Sequence, residues 1–170
     1  ETSRGCCYNC SYCLSSVTKS VRFFPYEKVI SDLEKLVNLG AKQIKFVDRT
    51  FNYDKKRTID LIKYLCTLDN GSINFHFEIT AHIMQDDLLD ALKNVRQGLF
   101  QFEIGVQSTN RQTIKAVNRI DNFDELSKKV RKIKSFGNIH QHLDLIAGLP
   151  YENLDSFKHS FNDVMALEPD

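Results

Sequence analysis

Apolar positions along the chain fall into two alternating periods. After Pro25-Tyr26-Glu27, the residues Val29, Ile30, Leu33, Leu36, Val37 and Leu39 recur at helical spacing, and Gly40 stops the run. That pattern predicts an amphipathic helix opened by proline and closed by glycine. A short apolar strand over 43–48 follows. The helical period returns over 54–68 and breaks at the turn signal Asp69-Asn70-Gly71. Strand 73–80 then sets Phe75, Phe77 and Ile79 on one face. Helix 85–95, strand 99–106, an irregular stretch, helix 124–136, strand 139–146 and helix 154–167 complete the alternation. Within it, Asn153-Leu154-Asp155-Ser156 reads as a helix start and the basic run 128–134 as a solvated helix face.

Strands separated by helices of about 10–15 residues predict parallel βαβ units with right-handed crossovers, an α/β fold. An open doubly wound sheet and a barrel both satisfy this pattern. No Gly-rich dinucleotide fingerprint follows any strand, which weakens the doubly wound option. A single domain over 1–170 is expected, with both ends cut from a longer chain. Residues 1–4 read as the tail of a first strand, and Leu167-Glu168-Pro169-Asp170 as a helix end leading to another.

Composition narrows the setting. The 170 residues are 42% apolar and 26% charged, enough for one hydrophobic core. A formal net charge of +1 argues against a nucleic-acid footprint made by this segment, so no nucleic-acid partner is expected. No run of about 18 apolar residues exists to span a membrane. The first five residues lack signal-peptide regions, and the chain reads as cytoplasmic.

The five cysteines are unevenly placed: Cys6, Cys7, Cys10 and Cys13 cluster, and Cys66 sits alone in a helical pattern as a small buried hydrophobe. Partners so close in sequence make strained disulfide loops, whereas clustered thiols in a reduced compartment bind metal. Cys6-x-x-x-Cys10-x-x-Cys13 puts three thiolates in one loop. Three protein ligands on a four-iron cluster leave one iron open for an outside ligand. A zinc site completed by a distant histidine is the alternative, and Cys7-x-x-Cys10-x-x-Cys13 is a second ligand set that spacing leaves open.

Polar residues also collect where the predicted strands end: Asp48-Arg49-Thr50, His76 and Glu78, Glu103 and Gln107, then His142 and Asp144. In parallel α/β barrels ligands gather at those ends. Several inward carboxylates imply a solvated cavity or a polar ligand, against the plainer reading of a satisfied polar core.

The run Glu1-Thr2-Ser3-Arg4-Gly5-Cys6-Cys7-Tyr8-Asn9-Cys10-Ser11-Tyr12-Cys13 resembles the cluster loop of the radical S-adenosylmethionine (SAM) superfamily, C-x-x-x-C-x-aromatic-C, with Tyr12 at the aromatic position. Proline is common in that family where this chain has Cys7, so Cys7 is a departure. The resemblance selects Cys6, Cys10 and Cys13 as ligands and covers essentially the whole chain. It is strongest to members with an N-terminal cobalamin-binding domain, including the anaerobic magnesium-protoporphyrin monomethyl ester cyclase type, an oxidoreductase. It implies a partial, TIM-like (β/α)6 barrel, of which five βα units can be counted here.

The same resemblance implies a 4Fe–4S cluster, SAM, and cobalamin in a full-length protein only. A one-electron reductant such as ferredoxin or flavodoxin would reduce the cluster and generate a 5′-deoxyadenosyl radical that attacks a small-molecule substrate. Gly105-Val106-Gln107-Ser108 and Asn118-Arg119 are similar to segments meeting the cofactor's ribose and carboxylate. Asp144-Leu145-Ile146-Ala147-Gly148-Leu149-Pro150 is similar to the fifth-strand motif, with Ile146 against adenine and Asp144 on ribose. Asp48-Arg49-Thr50-Phe51 stands where many members bind the methionine amine through Gly-Gly-Glu; without the glycines only backbone contact is implied. Glu78 is a charged partner for that amine, and Glu103 joins the same inward set. An RNA-modifying methylthiotransferase is the alternative enzyme, though no appended RNA-binding domain lies in this segment.

Overall fold

Alternation of phenylalanine with polar residues organises the sheet. The computed structural model describes residues 1–18 and 20–170. In chain order the strands are β1 (Ser3–Arg4), β2 (Arg22–Phe23), β3 (Gln43–Lys45), β4 (Asn74–Ile79), β5 (Phe100–Gln107) and β6 (His140–Leu145). The helices are α1 (Tyr26–Asn38), α2 (Lys55–Thr67), α3 (Asp86–Leu92), α4 (Arg111–Ala116), α5 (Phe123–Lys134) and α6 (Leu154–Met165), with single turns of 3-10 helix at Leu14–Val17 and Ala81–Ile83. Strands β3, β4, β5 and β6 form one parallel sheet in that order.

One face of this sheet is apolar. Phe75, Phe77, Ile79, Phe100, Phe102 and Ile104 are buried on it against Leu61, Leu65, Leu92, Leu126 and Ile133 of the helices. Phe77 sits at the centre, with ring centroids 4.7 Å from Phe46, 4.4 Å from Phe51 and 5.7 Å from Phe100. The opposite face carries Lys45, His76, Glu78, Glu103, His142 and Asp144. A doubly wound sheet buries both faces under helices and reads as continuous apolar runs. A polar second face is the lumen side of a barrel, so the alternation within the strands decides between the two architectures. The chain is a partial TIM-like barrel.

Three local outcomes differ from the sequence reading. The five expected units resolve into four parallel strands, because Ser3–Arg4 is too short to extend the sheet and pairs antiparallel with Arg22–Phe23. The irregular stretch after β5 contains α4, opened by the Asn110 side chain, which accepts from the Gln112 and Thr113 amides. Helix 85–95 shortens to α3. The expected starts elsewhere hold: Asp54 caps α2, Asn122 caps α5 and Asn153 caps α6. Among the described residues no helix is long and apolar enough to cross a membrane.

Candidate functional site

The cysteine loop is tied to the sheet by its stem. Asp48, just past β3, is 1% exposed. Its carboxylate accepts the Thr2 amide at 3.0 and 2.8 Å, the Thr2 hydroxyl at 2.7 Å and the Ser3 hydroxyl at 2.7 Å. Gly5 then turns the chain with φ +99°, where a Cβ would stand 2.1 Å from the Ser20 carbonyl oxygen. The loop closes on itself through Cys13 N to Cys10 O at 3.1 Å. It also reaches the end of α4 through Ser11 N to Val117 O at 2.9 Å.

Between this loop and the strand ends lies a cavity of ≈ 220 Å³. Cys6, Cys10 and Cys13 line it together with Tyr12, Glu78, Glu103, Gln107, Arg119 and Asp144. Nine of the residues expected from sequence are thus brought to one place. Two are not: Asp48 is consumed by the loop stem, and Ile146 follows β6 outside the lining, its amide donating to Gln107 O at 3.0 Å. Of the stretch 48–50, it is Arg49 and Thr50 that reach the cavity. Cys7 does not line it. Tyr8 N donates to Cys6 Sγ at 3.4 Å, and Thr50 Oγ1 lies 3.9 Å from the same sulfur. Among the described residues no three His, Cys, Asp or Glu side chains close around a point in the way a single metal ion requires.

The wall opposite the thiols is acidic. Burial raises the Asp144 carboxyl above its ordinary 3.8, and the neighbouring Glu103 charge adds to the effect. Burial likewise raises Glu78, against the pull of Arg49, whose Nη1 is 3.7 Å from Glu78 Oε2. Glu103 differs because Lys45 Nζ donates to it at 2.8 Å and holds its carboxyl down, with His76 Nε2 at 3.0 Å from the same oxygen. Gln107 enters the cavity from a β-bulge with φ +71°, its amide folded over Gly105, where a Cβ would stand 2.1 Å from Gln107 Nε2.

Sequence reading missed Tyr8 and Thr80, which also line the cavity, and the half-buried pair His82 and Asp121 behind it. These lie on loops or, for His82, on a single 3-10 turn, with no period to expose them.

Fold and site together define a class, an α/β half-barrel presenting an open set of three thiols to an acidic cavity at the strand ends. The chain belongs to the radical SAM superfamily, whose family model matches residues 1–164. It is 26% identical over 98% of its length to a probable threonylcarbamoyladenosine tRNA methylthiotransferase of Methanocaldococcus jannaschii, covering 41% of that protein. It is 24% identical over 97% of its length to the cobalamin-dependent radical SAM methyltransferase TokK of Streptomyces tokunonensis, covering 25% of it. Among solved structures, the radical SAM methyltransferase TsrM of Kitasatospora setae, with cobalamin and a [4Fe-4S] cluster bound, superposes with a TM-score of 0.82 at 17% identity, over 99% of this chain and 32% of that one. The chain therefore spans about two fifths or less of these relatives. Membership makes a 4Fe–4S cluster and SAM its cofactors, and cobalamin-dependent relatives are consistent with cobalamin in a longer protein.

Proposed function

We propose that Cys6, Cys10 and Cys13 hold the cluster and that the acidic wall holds SAM, making this chain the radical-initiating core of a group-transfer enzyme. The observation that supports it is the single cavity onto which three thiols and six polar residues converge. Held by Cys6, Cys10 and Cys13, a bound cluster would supply the single electron needed for reductive cleavage of the SAM sulfonium C–S bond. The chain's own residues do the rest. Two buried thiols and one half-buried thiol leave the fourth position of the cluster to the cofactor. Glu78 and Asp144 offer negative charge to a cationic cofactor, and the Gln107 amide offers hydrogen bonds to sugar hydroxyls. The cysteine loop forms one wall of the cavity, opposite the strand ends.

Group transfer is favoured over an oxidative cyclase because the sequence relatives named above are methyl- and methylthiotransferases. The methylthiotransferases include modifiers of tRNA and of a ribosomal protein. A macromolecular substrate is therefore the second reading, despite the near-neutral charge of this segment. Anaerobic reconstitution tests the proposal. It predicts about four irons per chain and reductive release of methionine and 5′-deoxyadenosine. Zinc without iron, or a loaded cluster that never binds SAM, contradicts it.

A further inference from the structure

Arg119 is 15% exposed and its partner Asp121 6% exposed, behind the cavity wall. Arg119 Nε donates to Asp121 Oδ2 at 3.0 Å, and Nη2 lies 2.9 Å from the same oxygen. Nη2 also donates to Gly105 O at 2.5 Å, and Nη1 donates to the Tyr12 hydroxyl at 3.3 Å. A guanidinium has five N–H donors, and these contacts leave one free, on Nη1. A carboxylate taken in bidentate geometry needs two parallel N–H groups along one edge. The Nε/Nη2 edge is occupied by Asp121, and the Nη1/Nη2 edge is divided between Tyr12 and Gly105.

The network continues away from the cavity. Asp121 Oδ1 accepts the Asn122 amide at 2.8 Å and lies 3.2 Å from His82 Nδ1, a close contact without hydrogen-bond geometry. The His82 ring packs edge-on against Tyr8, centroids 6.2 Å apart. Tyr8, Ser11 and Tyr12 of the cysteine loop are thus each held, by His82, Val117 and Arg119 respectively. We propose that Arg119, Asp121 and His82 form a brace that fixes the cysteine loop over the strand ends. Arg119 is then a positioning residue, and not the receptor of the cofactor's carboxylate that the resemblance implied. The inference rests on the reading of the loop as the cluster site.

Hydrogen exchange of the amides over 7–18, measured in the full chain without cluster, reads the brace directly. Losing a buried charge-assisted contact should speed that exchange about tenfold or more in Arg119→Lys and Asp121→Asn, and less in His82→Gln. Exchange in β4 and β5 should stay as in the parent protein. After reconstitution, SAM affinity per loaded cluster in Asp121→Asn, at a residue outside the cavity lining, should match the parent within about twofold. The brace is overturned if loop exchange is unchanged in these variants. It is equally overturned if Arg119→Lys, fully loaded with iron, loses SAM affinity while Asp121→Asn gains it, the signature of a carboxylate receptor. Should Arg119→Lys fail to fold, Asp121→Asn and His82→Gln decide by their loop exchange. A chain that takes up no iron but keeps the exchange differences refutes the cluster reading and leaves the brace standing.

Discussion

Cys6 and Cys7 are neighbours with opposite fates. Cys6 lines the cavity, whereas Cys7 does not, and burial, reinforced by Cys6, pushes the Cys7 thiol up to about 11. Cys6→Ala should therefore abolish iron uptake, and Cys7→Ala should retain it, as counted by iron analysis after anaerobic reconstitution. Asp144 supports a second prediction. Its raised carboxyl means the folded chain binds more protons than the unfolded chain between the ordinary 3.8 and the raised value. Across that window stability falls as pH rises, and above it the buried charge is a fixed cost. Asp144→Asn should thus stabilise the cluster-free protein at pH 7 in denaturant unfolding, while weakening SAM binding in equilibrium dialysis. For the parent protein, SAM affinity should fall as pH drops through the raised range of Asp144 and Glu78, at higher pH than ordinary carboxylates allow.

At the scale of elements, the end of β5 is the most constrained point. Gly105 leaves room for the Gln107 amide, and the bulge between them re-aims Gln107 into the cavity. Gly105→Ala should displace that amide, costing roughly 1–3 kcal/mol of stability by overpacking and lowering SAM affinity; chemical denaturation and binding measure the two separately. The period-two alternation of β4 and β5 was legible because each residue's face is set by the pleat. The stem of the cysteine loop was not legible in the same way. Asp48 lies at a strand end, as cofactor residues do, yet Thr2 and Ser3 take all of its carboxylate from 45 and 46 residues away. The short α4 escaped notice because six residues hold too few turns to show a period. His82 and Asp121 meet only through tertiary structure.

For the molecule as a whole, one apolar face and one polar face of the same sheet divide stability from chemistry. Phe77 anchors the first; Phe77→Ala should cost about 3–5 kcal/mol in urea unfolding. The second face is where the cysteine loop, tied through Asp48 at one end and reaching Val117 at the other, covers the strand ends. Both were readable in outline, since the helices and strands announce themselves by period, and three thiols in eight residues announce a metal loop. The central claim is that these three thiols leave one iron for SAM. The electron paramagnetic resonance spectrum of the reduced cluster, recorded with and without SAM, tests it most directly. A spectrum that changes on adding SAM is the predicted result; one that is identical in both, from a cluster closed by a fourth protein ligand, would contradict it.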